Sequence, residues 1–476
     1  MFDVIVIGGG IIGGAILREL TKYRIKVCLL EKENDVCMGQ SKANSGLVHA
    51  GFDAHVGTLK AKFNVLGNAM MPEFAKDLGV KYENNGAIVL AFQDEEIDVL
   101  RVLYARGKQN GVEGLKLLSR EEVLCLEPNV KDNVKGALYA KSAGIVCPYT
   151  LTIACIGNAM DNGATCKLNF DVVSIEKKDG IFIVQASDGQ SEKGKLIINC
   201  AGLACADIAR LVGDDSYSIG GRKGEYILLD KSCVDYVKHT LFRTPSEKGK
   251  GVVVTPTVDG NIILGPTSQV VDNGKTDTTA TGLKSIQDSV LGMVKDVPFA
   301  QTITSFAGVR AYSNRHDFII EESDVCAGFI HCAGIESPGL TSAPAIAKYV
   351  VEELVAKHIT LVHNPNFNGK READCFFANL SLDEKNKYIQ KNPSYGNVVC
   401  RCENITEGEI LRAIHVNPPA RDIDGVKRRV RAGMGRCQGG FCQPSVLELL
   451  AREQNIPLDS VTKKGKNSNV LTGVQQ

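Results

Sequence analysis

The sequence predicts an α/β protein in three parts: an N-terminal domain that opens on strand, tight turn and helix, a discontinuous domain built on an antiparallel sheet, and a small C-terminal helical module. Three observations carry this. A β-branched run from Phe2 to Ile7 leads into Gly8, Gly10 and Gly13 and an apolar stretch to Leu20; short strand runs in the middle alternate with Gly or Pro turns; and four cysteines crowd together between residues 400 and 442.

Composition narrows the classes. The 476 residues hold 55 basic and 55 acidic side chains, which removes the electrostatic case for a nucleic-acid binder. An apolar fraction of 44% with 23% charged is ordinary for a globular protein. At roughly 150 residues per domain, the length suggests about three domains. Sixteen cysteines are too dilute for a small disulfide scaffold, so their distribution matters more than their number. The chain starts MFDVIVIGGG, without the basic segment and cleavage site of a signal peptide, and no uninterrupted apolar run of about 18 residues exists. A cytoplasmic location is expected, with peripheral membrane contact left open. In that reducing setting most thiols are expected to be buried small hydrophobes.

The first sixty residues read as one site. Gly8, Gly10 and Gly13 have G-x-G-x-x-G spacing between a strand and a helix, and a second strand, Lys26 to Leu30, ends at Glu31. This is the Rossmann-like arrangement: Gly8 permits the turn, Gly10 lets backbone approach a pyrophosphate, and Gly13 permits close helix packing. The helix N-terminus offers N–H groups and positive dipole to phosphates. Glu31 would accept from ribose hydroxyls and disfavour a 2′-phosphate, so FAD or NAD is preferred to NADP. Residues 33–68 are polar, Gly-rich and poor in strand signals, whereas an NAD domain would continue promptly into further βαβ units.

That insertion resembles the D-amino-acid oxidase-like flavoproteins, which oxidise amines and hydroxy acids. Asn44, Ser45, Gly46 and Leu47, followed by Val48, His49, Ala50 and Gly51, resemble the branch containing FAD-dependent glycerol 3-phosphate oxidases and dehydrogenases and 2-hydroxyglutarate dehydrogenases. Later segments fit a discontinuous FAD domain: strand candidates at Lys167 to Phe170, Val172 to Ile175, Ile181 to Val184 and Lys195 to Ile198, the last reaching Ala201 and Gly202. Helix-like sequence with a capping box at Ser119 and Glu122 lies between Val89 and Tyr139, and strands alternate with turns from Glu225 to Ile320. The resemblance implies FAD-binding roles for Gly8, Gly10, Gly13, Glu31, Asn44, Ser45, Val173, Ala201, Gly202, Gly339, Leu340 and Thr341. Expected domains are FAD-binding at 1–88, 141–220 and 325–364, and substrate at 89–140 and 221–324.

Three more segments resemble the glycerol 3-phosphate oxidases. A hairpin over residues 249–267 turns at Asp259 and Gly260 and carries Lys250 near its start; residues 305–320 present Arg310 after a glycine; residues 329–354 read strand, Gly-rich turn, helix, with Ser337 and Pro338 at the helix entrance. The resemblance implies a pocket lined by His49, Lys250, Arg310 and Ser337. Chemistry agrees, since oxidising a secondary alcohol needs a base with pKa near the working pH, and an anionic substituent wants Arg as a fork and Lys as a point charge. Glu336 departs from this, because it puts an acid beside Ser337 where a phosphate ester would favour a neutral or basic neighbour.

Residues 365–396 read as linker and entry helix, with a capping box at Ser381 and Glu384. Beyond them lie Cys400, Cys402, Cys437 and Cys442 as C-x-C, thirty-four intervening residues and C-x4-C, a set that can hold zinc or an iron–sulfur cluster. C-x-C is unusual for zinc. The surroundings, VVCRCENITEGEIL and KRRVRAGMGRCQGGFCQPSV, resemble the bacterioferritin-associated ferredoxin-like module and imply a 2Fe-2S cluster over residues 397–455. Thr406 with Glu409 forms a capping box and Ile405 with Ile410 a hydrophobic staple. Lys427, Arg428, Arg429, Arg431 and Arg436 are expected to place positive charge beside the thiolates, and residues 456–476 to form a flexible tail.

Together these imply an FAD-dependent dehydrogenase taking sn-glycerol 3-phosphate to dihydroxyacetone phosphate. His49 is the base, Arg310 and Lys250 clamp the anion, and the cluster passes electrons to a protein acceptor, such as a second flavoprotein subunit, or to quinone. The single-domain oxidases of the family lack the cluster and use dioxygen. A 2-hydroxyglutarate or other 2-hydroxy-acid dehydrogenase is the sibling alternative, and a non-catalytic electron-transfer subunit the alternative of another class.

Overall fold

The computed structural model describes residues 1–245, 251–271, 274–372 and 376–473. Its first sheet is centred on Phe2–Ile7, which pairs in parallel with Val27–Leu30 on one side and Ser191–Asn199 on the other. Val4, Ile5 and Val6 are wholly buried because both sheet faces are covered, which is why the strand reads as a continuous apolar run. Beyond Val27–Leu30 lies Thr165–Lys167. The first half of Ser191–Asn199 carries the meander of Ile181–Ala186 and Val172–Lys178, and its second half pairs with Phe329–Ala333. The strand expected from Lys167 to Phe170 thus ends three residues earlier, because Phe170 already donates its N–H to the Glu31 carbonyl as the chain turns through Asn169. Ile319–Glu322 pairs with Phe329–Ala333, so the chain rejoins this sheet at 319, ahead of the expected 325.

The second sheet is built on a long antiparallel pair, Ile219–Leu229 against Thr302–Ser313. The expected hairpin is present as Val253–Pro256 and Ile262–Gly265, turning at Asp259 and Gly260. Lys250 lies outside the described residues. The region 89–140 departs from its helical reading: beside helices Asp94–Gln109 and Arg120–Leu126, the strands Ala87–Ala91, Leu115–Ser119 and Gly136–Ala140 join this sheet through Thr240–Arg243. Ala87–Ala91 is buried on both faces, so it lacks the alternation that marks a strand. The Ser119 box is formed, with Ser119 Oγ accepting from Glu122 N and the Glu122 carboxylate from Ser119 N.

The C-terminal module packs Ile405, Ile410, Ile414, Val426, Val446 and Leu450 between helices Glu407–His415, Ile423–Val430 and Gln443–Gln454. Thr406 and Glu409 form their capping box at the first of these. Residues 456–473 differ from the flexible tail expected of them: Val461, Val470 and Leu471 join the module core, and Lys463 carbonyl accepts from Asp424 N.

Arg428, Arg429 and Arg431 depart from the use expected of them beside sulfur, whereas Arg436 does act on the Cys402 sulfur. Arg428 and Arg429 converge on Asp35, in the loop after Val27–Leu30, at 2.6 Å and 2.8 Å. Arg431 binds Glu403 of its own module at 2.9 Å and Asp259 and Asn261 of the hairpin at 2.7 Å and 2.9 Å. Arg436 pairs with Asp230. These arginines dock the module on the other two domains, because a guanidinium taken out of water needs an anion to hold. Burial pushes the Asp35 carboxyl up, and Arg429 and Arg428 overcome that, holding it at about 2. Among the described residues no helix is long and apolar enough to cross a membrane.

Candidate functional site

A cavity of about 1410 Å³ runs from the Gly8–Gly10 turn, across the loop of residues 38–45, to the substrate sheet. At one end Gly8 has φ of 110° and no room for a side chain, since a Cβ would sit 2.4 Å from the Cys200 carbonyl oxygen. At Gly13 it would sit 2.0 Å from Gly8 O, so helix Ile11–Leu20 rests directly on the turn. The N-cap of that helix is Gly10, which brings no side chain, and Ile11 N donates to Ser41 Oγ at 2.9 Å. Gly9 N donates to Glu31 Oε2 at 2.6 Å, and Glu33 N to Oε1 at 3.0 Å. Burial raises the Glu31 carboxyl, and these two N–H groups offset part of the rise. A backbone cradle, a helix end opened by glycine and a carboxylate at the end of the second strand are what a dinucleotide's pyrophosphate and ribose require.

Of the residues assigned to cofactor binding, Gly8, Gly10, Glu31, Asn44, Ser45, Ala201, Gly202, Gly339 and Leu340 line this cavity. Gly13 stands behind the turn. Val173 is on the Val172–Lys178 strand with its side chain half exposed, away from the cavity lining. Thr341 is fully buried near the start of helix Gly339–Tyr349; its hydroxyl accepts from His49 N at 2.9 Å and donates to Leu47 O at 3.3 Å.

His49, Ser337 and Arg310 share the cavity. His49 comes directly after Leu47–Val48, and its Nε2 shares a 3.2 Å hydrogen bond with Ser337 Oγ, whose direction depends on the imidazole tautomer. The ring also lies 6.1 Å from Phe242. Sequence reasoning missed how firmly this loop is held. Asn64 and Asn68, one turn apart on helix Leu59–Asp77, both donate to His49 O, at 2.6 Å and 3.1 Å. Two asparagines at i and i+4 facing a loop were the available signal. Gln40 bridges the cavity walls, donating to Ile335 O and accepting from Ala311 N. Glu336, the unwelcome acid, takes Lys60 Nζ at 2.9 Å and is neutralised beside Ser337. Arg310 gives Nη2 to Thr267 O at 3.0 Å, while its Nε is buried without a partner.

The four clustered cysteines stand in two pairs. Cys402 and Cys437 sulfurs are 3.6 Å apart at the surface, and Cys400 and Cys442, both buried, hydrogen-bond to each other. The Cys442 hydrogen bond draws the Cys400 thiol down to about 6 against the opposing effect of burial, helped by the N–H groups of Gly433 and Glu403. Gly435 makes room for Cys402, since a Cβ there would sit 2.4 Å from Cys402 Cβ. Among the described residues no three ligating side chains are gathered tightly enough for one ion. Four thiols brought together in one small module are the donor set that an iron–sulfur cluster takes.

Fold and cavity define a dinucleotide-dependent oxidoreductase carrying a second, sulfur-ligated centre. The model of the FAD dependent oxidoreductase (DAO) family matches residues 3–353, and the chain belongs to that family. The BFD-like [2Fe-2S] binding domain matches residues 398–452, so the cofactors are FAD and a 2Fe-2S cluster. The chain is 50% identical to a glycerol 3-phosphate dehydrogenase of Caloramator mitchellensis over 99% of its own length and 98% of the relative's. It is 34% identical to a glycerol 3-phosphate oxidase of Mycoplasma genitalium over 77% of this chain and 98% of that one. The dithionite-reduced L-α-glycerophosphate oxidase of Mycoplasma pneumoniae, with FAD bound, superposes with a TM-score of 0.74 at 31% identity, covering 78% of this chain and 98% of that one. This chain is therefore an FAD-dependent enzyme, which sets aside the non-catalytic alternative.

Proposed function

We propose that the chain oxidises sn-glycerol 3-phosphate to dihydroxyacetone phosphate and passes the electrons through its 2Fe-2S cluster to a protein or quinone acceptor in the cytoplasm. The observation that carries the reading is the His49–Ser337 hydrogen bond in a cavity shared with Arg310. The relative's activity at 50% identity supports the phosphate ester over a 2-hydroxy acid. FAD, when bound, supplies an acceptor for the hydride of the alcohol carbon, and the cluster supplies a one-electron carrier.

The rest of the chemistry belongs to the side chains. His49 Nε2 takes the hydroxyl proton as the hydride leaves, and Ser337 Oγ orients the imidazole and the substrate oxygen. Thr341, Asn64 and Asn68 fix the backbone of His49, so the base is aimed before substrate arrives. Arg310 holds the anionic end, with Lys250 as its second cation. The uncapped N-terminus of Gly339–Tyr349 lines the cavity and favours negative charge gathering there. Gly8, Gly10, Gly13 and Glu31, with Asn44, Ser45, Ala201, Gly202, Gly339 and Leu340, hold FAD, and Cys400, Cys402, Cys437 and Cys442 hold the cluster.

The test is anaerobic stopped-flow reduction with a panel of hydroxy acids and phosphates, monitoring flavin and iron–sulfur absorbance together. Glycerol 3-phosphate should bleach flavin first and cluster second. Reduction by 2-hydroxyglutarate with none by glycerol 3-phosphate would sink the substrate assignment. His49→Asn should slow flavin reduction by about 10²- to 10⁴-fold at unchanged FAD content. An unchanged rate removes His49 as the base.

A further inference from the structure

One face of helix Leu59–Asp77 reaches both halves of the His49–Ser337 pair. Lys60, Asn64 and Asn68 stand on successive turns of it, so their side chains leave the same side. Asn64 and Asn68 take the His49 carbonyl. From the turn before them, Lys60 reaches the loop of the other partner. Its Nζ donates to Glu336 Oε1 at 2.9 Å, one residue ahead of Ser337, and to His316 O at 3.1 Å. Lys60 and Asn64 both line the cavity.

The helix that carries this face is itself fixed. Thr58 caps its N-terminus by accepting from Ala61 N, and Leu59 N and Lys60 N donate to the Asp317 carboxylate at 2.8 Å and 3.0 Å. Farther along, Gly67 lies so close to Gly339–Tyr349 that a Cβ would sit 2.1 Å from Thr341 O. On the loop side, Gly339 N donates to Glu336 O at 2.6 Å and closes a turn around Ser337 and Pro338. The carboxylate that Lys60 grips therefore belongs to the first residue of the turn whose second residue is Ser337. Both side chains of the ion pair are 18% exposed, which shields it better than a pair standing free in water, where two long side chains hold little geometry.

We propose that Lys60 is a positioning residue: through Glu336 it sets Ser337 Oγ against His49 Nε2, so that one helix places both the base and the hydroxyl that orients it. The inference rests on the function proposed above and adds the side chain that aligns its two central groups. The Lys60 ammonium is neutralised by Glu336, and the anionic end of the substrate stays with Arg310.

The test compares wild type with Lys60→Met, Lys60→Arg, Glu336→Met, Ser337→Ala and the combination of Lys60→Met with Ser337→Ala, all loaded with both cofactors. Anaerobic flavin reduction by glycerol 3-phosphate gives the limiting rate and the dissociation constant. The ring nitrogens of His49 are read without substrate, by nitrogen NMR of protein with isotope-labelled histidine, and assigned by their loss in His49→Asn. Lys60→Met should slow the limiting rate roughly tenfold to hundredfold and change the dissociation constant less than about threefold. It should also move the His49 resonances in the direction that Ser337→Ala moves them. Glu336→Met should do the same, and reads the same link should Lys60→Met fail to fold. Lys60→Arg, which keeps the cation, should recover most of the rate. In the Ser337→Ala background Lys60→Met should add less than about twofold, because it acts through that hydroxyl. Full additivity there overturns the proposal. So does weaker substrate binding at an unchanged rate, which makes Lys60 a ligand of the substrate anion. If glycerol 3-phosphate fails to reduce wild type, the substrate assignment falls alone, because the His49 resonances still read Lys60.

Discussion

The proposed FAD site at the N-terminal cavity is made of backbone, with Gly8 and Gly13 packed where any side chain would collide and Gly9 N–H held by Glu31. The proposed cluster site between Cys400 and Cys442 is made of four sulfurs, with glycines clearing the way. The cysteines sharpen the contrast. Burial pushes the thiols of Cys28, Cys37, Cys155 and Cys166 up to about 12, where they behave as small hydrophobes. Cys400 is equally hidden, yet a neighbouring thiol and two N–H groups draw it to about 6. Burial alone therefore does not set a thiol's proton affinity; the donors aimed at its sulfur count as well.

The comparison breaks most severely at Gly13. Gly13→Ala should force the helix off the turn, leaving little FAD in soluble protein and a melting temperature lowered by several degrees or more, read by flavin absorbance per chain and thermal unfolding. A retained full complement of FAD would mean that the backbone contact is not what shapes the cradle. Next comes the joint between the regions. Asp35→Asn leaves Arg428 and Arg429 buried without their anion and should cost about 3–5 kcal/mol, measured by denaturant unfolding. The same joint has a pH signature. The Asp35 carboxyl in the folded protein, at about 2, lies below the unfolded value of about 3.9, so its stabilisation is fully present above about pH 4 and is lost as pH falls toward 2. In Asp35→Asn that acid limb should be shallower. The smallest effect on the FAD cavity belongs to Cys402→Ser. It should abolish the iron–sulfur absorbance while FAD content and flavin reduction by substrate stay within about twofold of wild type. A parallel loss of FAD would make the two regions one cooperative site.

What could be read from sequence was what is local in the chain. The Gly8–Gly13 turn, the capping boxes at Ser119, Ser381 and Thr406 and the Asp259–Gly260 hairpin each lie within a few residues, and all are present. What depended on distant partners was misread or missed. Ala87–Ala91 hides its alternation because both faces are covered. Arg428 and Arg429 read locally as a positive field around sulfur because Asp35 lies almost four hundred residues away.

Asp35 bears on how such proteins can be cut and recombined. A simple truncation before residue 397, meant to leave a one-module oxidase, would strip Arg428 and Arg429 from the Asp35 carboxylate and uncover it. The shortened chain would then carry an unpaired carboxylate in the very loop that comes after Glu31, where two guanidiniums had held it. Separating the halves therefore calls for a paired edit, truncation together with Asp35→Asn or Asp35→Ser. In gain or loss of the redox module during descent, position 35 and the arginine pair would have to change hands together.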